Sequence, residues 1–260
     1  MMVIDTPARL AILGGGPIGI ETGLYARYLG YDVQIFEREE VACQVLQSEH
    51  ERMSSPFRCH RSTLGLAALA AQDPDVAFPA DEARLTGREW IDAYLVPLSR
   101  TDLLANHILT DTQVVTVQRQ VDVATVDEDD DEDDDEDDDD DEKRKPSFRI
   151  RVQNRVATKA DHEADAVIDV TGVAGGADWL GPGEAPDQKV TTPRDRESAI
   201  VDPPSFITHE SNFFILGAKS AGGDPHFPFA TGLLQVRALF RVIGGREDLD
   251  LYESVKNLLP

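Results

Sequence analysis

The sequence predicts an α/β fold with a central parallel sheet and an antiparallel β-meander, and three observations carry this. Apolar runs at Arg9–Leu13, 165–172 and 213–217 show no helical period, as expected of strands buried on both faces. The first and last of them pass through glycine towards helix-compatible stretches, the usual way of joining parallel strands. Residues 114–117 are all β-branched, and 121–126 and 148–152 alternate or nearly so, as strands with one solvated face do.

In chain order, Arg9–Leu13 meets Gly14, Gly15 and Gly16 at once, and Pro17–Leu29 follows as a helix. The spacing is G-x-G-x-x-G. Gly14 can make the tight turn, Gly16 lets a pyrophosphate approach bare backbone, and Gly19 lets the helix pack close to the strand. Pro17 suits the first helical turn, where its missing N–H is no loss. A second strand is expected over 31–36, ending on Glu37 and followed by Arg38. A carboxylate there can accept hydrogen bonds from both adenosine ribose hydroxyls, and it repels a 2′-phosphate, which disfavours NADP. The motif places the ADP half of FAD and of NAD identically, so it leaves both open.

The 260 residues suffice for one large or two small domains, and the formal charge is −24. Residues 127–142 are sixteen consecutive carboxylates, which leaves −8 for the rest. No cluster of Lys and Arg marks a nucleic-acid partner. Cys43 and Cys59 lack C-x-x-C spacing and read as two small buried residues. No basic leader and no apolar run long enough to cross a bilayer is present, so a cytoplasmic protein without a membrane partner is expected. Nothing in the sequence fixes an oligomeric state.

Further along, the apolar run 64–71 reads as a buried helix or loop after a turn at 54–57. Helical spacing over 90–95 is expected to end at Pro97, and 99–102 supplies caps for a helix over 103–109. The two alternating segments, 121–126 and 148–152, flank the acidic run and suggest a meander whose hairpin tip, 127–145, is a disordered acidic loop. An electrostatic lure for basic proteins or metal ions is the functional alternative for that loop. Residues 173–210 read as an irregular connection, and the last helix is expected over 230–243, stopped by Gly244 and Gly245. The organisation expected is one domain over 1–260, built from 1–126, 146–172 and 211–245.

Three separated segments then carry a resemblance. The Gly14–Gly19 unit with Glu37, the run 165–172, and the C-terminal strand, glycine and helix together resemble the FAD-binding domain of the two-dinucleotide-domain flavoproteins, the pyridine nucleotide-disulfide reductase and flavin monooxygenase superfamily. Residues 165–172 are similar to that superfamily's D-x-hydrophobic-hydrophobic-x-A-T-G segment, with Val170 in place of the small residue. The resemblance implies a Rossmann-like FAD-binding fold, FAD as cofactor, and an FAD-dependent oxidoreductase of reductase or monooxygenase type acting on a small molecule.

It also implies roles for particular residues. Gly14, Gly16, Pro17, Ile18 and Gly19 would surround the pyrophosphate, and Glu37 and Arg38 would stand at the adenosine ribose. Arg100 resembles an arginine placed near the FAD phosphates, with a solvated helix cap as the plainer reading, and Val115 would lie beside the adenine. Thr171, Gly172, Gly217, Lys219, Thr231 and Gly232 would line the flavin path, the last two opening a helix aimed at the ring. His226 is the candidate for proton handling, with a bland surface or core role as the alternative, whereas His60 and His209 have no partners legible in sequence.

Two departures stand out. Where the superfamily has Gly-Asp this chain has Gly217-Ala218-Lys219, and Lys219 can only donate, to a flavin phosphate, to the N1/C2=O edge or to water. The interval 172–211 holds no second glycine fingerprint and is too short for a nicotinamide domain. Electrons would then come from an external donor or from substrate. The other readings are a noncatalytic flavin or nucleotide binder whose acidic tract recruits partners, and an NAD-dependent dehydrogenase.

Overall fold

Leu10 and Ile12 of β1 (Arg9–Leu13) point to one side of the chain and Ala11 and Leu13 to the other, and all four are buried. A strand of period two with both faces apolar must lie between two layers, and this one does. The computed structural model describes residues 3–120, 147–172, 176–182, 184–186, 206–224 and 226–258. The expected strands at 121–126 and the acidic loop at 127–145 lie outside the described residues.

After β1 come α1 (Pro17–Leu29) and β2 (Asp32–Phe36), with Gly30 closing the helix at a left-handed φ of 92°. The chain continues through α2 (Cys43–Leu46), α3 (Thr63–Gln72), α4 (Gly87–Trp90) and α5 (Val96–Ser99) to β3 (Ile108–Leu109) and β4 (Thr112–Arg119). Then follow β5 (Phe148–Asn154), β6 (Lys159–Ala164), β7 (Ala166–Asp169), β8 (Asp178–Leu180), β9 (Phe213–Ile215), α6 (Phe229–Ile243) and α7 (Leu251–Ser254).

The parallel sheet has the order β3-β2-β1-β7-β9, and β6-β5-β4-β8 form a second sheet in which β4, β5 and β6 are an antiparallel meander. Leu10, Ile12 and Ile168 meet α1, α3 and α6 on one face of the parallel sheet. Ala11, Leu13 and Val167 meet Val117, Ile150 and Val152 of the meander on the other. Helices, parallel sheet and meander are therefore three layers, a Rossmann-like α/β fold of the kind the sequence predicts.

Four details depart from the sequence reading. The helix opened by the Thr86–Glu89 capping box does not stop before Pro97. A wide turn over Ile91–Leu95, in which the Val96 amide reaches back to the Ile91 carbonyl, leads into α5 with Pro97 in its first turn. That widening makes room for the proline ring and uses its missing N–H at no cost.

Residues 103–109 are not a helix. The amides of Leu104 and Ala105 close a turn on the Thr101 carbonyl, after which β2 claims the chain: Ile35 donates to the His107 carbonyl, and Ile108 and Leu109 pair with Ile35 and Phe36. The supposedly irregular 173–210 contains β8, held parallel to β4 by Trp179, whose ring packs against Phe148 and Phe213. Finally, β6 completes the meander although its residues are mostly polar and exposed.

Candidate functional site

The carboxyl ends of β1 and β7 lie side by side at the point where the order of the parallel strands reverses, which is where open α/β sheets bind ligands. A cavity of about 220 Å³ opens there, walled by Gly14, Gly16, Glu37, Val114 and Thr171 among others.

The glycines of the turn do different jobs. Gly14 has φ 110°, and a Cβ on it would stand 3.1 Å from the Val170 carbonyl oxygen, so both its angle and the neighbouring strand require glycine. A Cβ on Gly19 would fall 1.9 Å from the Gly14 oxygen, so this position is set by close packing of α1 on the turn. A Cβ on Gly16 would meet nothing within 4 Å, and the space above it is open to the cavity. Pro17 is the first residue of α1, and the first-turn amides of Ile18 and Gly19 have no intrahelical acceptor.

Glu37 follows β2 directly and is 7% exposed. Its Oε2 accepts the Gly15 amide at 2.7 Å and its Oε1 accepts the Glu39 amide at 2.9 Å. The Cys43 thiol lies 3.7 Å from the same Oε1 and lines the cavity. Burial, then the charges of Glu37 and Glu39, push that thiol up to about 11, so it stays protonated at neutral pH. Cys43 and Cys59 are free and only half-buried, not the two buried residues expected, and Cys43 faces the cavity. Arg38 is an exposed part of the wall, paired with Glu39 at 3.1 Å.

Other expected residues lie elsewhere. Arg100 is exposed at the C-terminal cap of α5 and is not part of the wall. Val115 is the extra residue of a β-bulge between Val114 and Thr116, and it is Thr112, Gln113 and Val114 that face the cavity. Thr171 lines the cavity and gives both its amide (3.0 Å) and its hydroxyl (2.7 Å) to Asp169 Oδ1. Gly172 has φ 70° and open space around it.

Gly217 is buried with φ 72°, and its amide donates to Gln235 Oε1 at 2.8 Å. Lys219 is neither in solvent nor aimed at the cavity: its ammonium sits 2.6 Å from Asp169 Oδ2. At the start of α6 the amides of Thr231 and Gly232 both donate to the Pro228 carbonyl, and among the described residues those of Phe229 and Ala230 have no backbone acceptor. Gly232 is a packing glycine, since a Cβ on it would lie 2.1 Å from Ile18 Cδ1.

His226 is exposed, and its backbone amide, not its ring, is tied to Asp224 Oδ1. His60 has a partner that sequence did not reveal, Ser55 Oγ at 2.8 Å from Nε2, with its ring edge-on to Trp90, and burial lowers its pKa. His209 Nε2 is 3.1 Å from the Glu184 carbonyl oxygen. Asp169, Gln235 and Val114 were missed for one reason: each matters through a neighbour distant in sequence. Among the described residues no group of three or more His, Cys, Asp or Glu could hold a metal ion.

The fold is a Rossmann-like α/β architecture, with the glycine turn at the switch point of its parallel sheet. Residues 9–66 match the pyridine nucleotide-disulphide oxidoreductase family, the superfamily that the Gly14–Gly19 unit resembles. Among solved structures the chain is similar to bacillithiol disulfide reductase Bdr from Bacillus cereus, with TM-score 0.59 and 12% identity over 92% of this chain and 99% of that one; this likeness is one of fold. FAD-bound OTEMO matches 67% of this chain and 27% of its own at 15% identity and TM-score 0.42. S-allyl-L-cysteine S-oxygenase from Allium sativum matches 64% and 36% at 15% identity and TM-score 0.38. No curated protein matches the chain. Among the described residues no helix is long and apolar enough to cross a membrane.

Proposed function

We propose that the protein is an FAD-dependent oxidoreductase acting on a small molecule, with electrons supplied by an external donor or by the substrate itself. The observation that carries this reading is the open space over Gly16 at the mouth of α1, beside the cavity that Glu37 and Thr171 wall. A dinucleotide diphosphate suits it: Gly16 caps a thirteen-residue helix, whose positive end and first-turn amides would favour an anion. Glu37 would hold the adenosine ribose, with Gln113 and Val114 alongside the base. FAD, when bound, supplies hydride or single-electron transfer. The chain's own part is to bind and orient: the Phe229 and Ala230 amides at the head of α6 would favour negative charge at the far end of the site.

The test is direct. The purified protein should show flavin absorbance and release FAD identifiable by mass spectrometry, and stopped-flow mixing with NADH or NADPH should report whether either reduces it. A colourless protein that refuses added FAD would defeat the proposal. The second reading, a noncatalytic flavin or nucleotide binder, is favoured by one observation, that His226 is exposed and is not among the residues that wall the cavity. A flavin that stays oxidised with every donor tried would select it.

A further inference from the structure

Asp169 and Lys219 are fifty residues apart and almost sealed from water, with side chains 4% and 12% exposed. Lys219 rides on the turn Gly217–Ala221, which α6 clamps from below: Gln235 takes the Gly217 amide, gives its own amide to Ser220 Oγ at 2.8 Å, and Ser220 Oγ donates to the Gly217 carbonyl. The lysine is therefore presented to β7 by a fixed support. Asp169 uses its other oxygen to hold Thr171, a wall residue of the cavity, so its carboxylate stands one hydrogen bond from the site.

We infer that Lys219 is a positioning residue that cancels the Asp169 charge, and so lets an anionic diphosphate be held between Gly16 and Thr171. The inference rests on the dinucleotide reading of this cavity. Asp169 fixes Thr171 through its amide and hydroxyl, yet an unpaired carboxylate one hydrogen bond from the cavity would repel a diphosphate. Lys219 removes the conflict without entering the cavity.

The test compares ADP with adenosine, because the ratio of their affinities isolates the diphosphate. After removal of any copurified flavin, both are titrated by calorimetry into the wild-type protein and three variants. Lys219→Met should lower the ADP-to-adenosine ratio by on the order of tenfold, Lys219→Arg should keep it near wild type, and Asp169→Asn should raise it. If Lys219→Met fails to fold because it strands a buried carboxylate, the double variant Lys219→Met/Asp169→Asn should fold and recover the wild-type ratio.

A ratio that Lys219→Met leaves unchanged while both affinities fall makes the pair merely structural and overturns the inference. So does a ratio lowered by Asp169→Asn. Wild-type protein that takes neither ADP nor FAD removes the dinucleotide reading itself, an outcome distinguishable from the other two.

Discussion

The Gly15 amide donates to the Glu37 carboxylate at 2.7 Å, joining the glycine turn to the end of β2 across 22 residues of sequence. Glu37 thus holds the turn as well as facing the cavity, and its second oxygen carries the Glu39 amide. Glu37→Ala leaves the buried Gly15 amide without its acceptor, which costs about 1–3 kcal/mol, while the part-buried Glu39 amide can turn to water. The variant should unfold at lower guanidinium concentration and lose adenosine affinity together. Equal midpoints for variant and wild type would show that water replaces the carboxylate freely.

Gly16 and Gly19 separate binding from folding. Gly16 has φ −73° and nothing within 4 Å of its β-position, so Gly16→Val should fold with a Tm close to wild type while filling the space meant for a diphosphate. Gly19→Ala places its methyl 1.9 Å from the Gly14 oxygen and must push α1 off the turn. The expected results are a stable, colourless Gly16→Val and a Gly19→Ala whose Tm drops by several degrees, as overpacking costs typically about 1–3 kcal/mol. Thermal melts with flavin absorbance on both variants decide it.

How much of this was legible follows from what each segment reports locally. The unit β1–α1–β2 could be read almost to the residue, because Pro17, the glycine spacing and Gly30 punctuate it by backbone constraint alone. The apolar runs of β7 and β9 announce buried strands whatever surrounds them. In contrast β6 is Lys-Ala-Asp-His-Glu-Ala, with only Ala164 buried, and it is a strand because β5 offers it an edge. Residues 103–107 had good helix caps, but β2 needed Ile108 and Leu109 as an edge strand. At the site, one bulged residue exchanged Val115 for Val114 on the cavity wall, and the Asp169–Lys219 contact depends on two strands being neighbours. Sequence spacing carries neither.

Gln235 is the buried support beneath the Gly217 turn, with no exposure to water. Gln235→Leu keeps the volume but strands the Gly217 amide and removes the Ser220 contact. An unsatisfied buried donor costs about 1–3 kcal/mol, and the turn carrying Lys219 would loosen. Hydrogen exchange should show the Gly217 amide unprotected in the variant and protected in wild type. Full protection in both would mean that another acceptor takes the amide.

Glu21 sits in the middle of α1 and is fully buried, with Tyr94 donating to its Oε1 at 2.6 Å and its Oε2 unpartnered among the described residues. Ser62 supports Tyr94 through its amide at 2.9 Å, and the Tyr252 hydroxyl, also buried, adds no charge to offset the acid. Burial pushes the Glu21 carboxyl from 4.5 up to about 7. The folded state therefore binds a proton that the unfolded state releases as pH rises above 4.5, so stability falls between pH 4.5 and 7. At 1.36 kcal/mol per unit the total loss is roughly 3 kcal/mol, complete once the folded-state group also ionises. The exposed pairs Arg61–Asp81 and Arg151–Asp161 act with the opposite sign, at lower pH, since their acids are lowered. Glu21→Gln, which keeps an acceptor for Tyr94 and carries no charge, isolates the Glu21 contribution. It should match wild type below about pH 4.5 and exceed it by an increasing margin towards pH 8 in denaturant titrations. A margin independent of pH would mean that the Glu21 carboxyl titrates alike in the folded and unfolded chains, and the burial argument would fail.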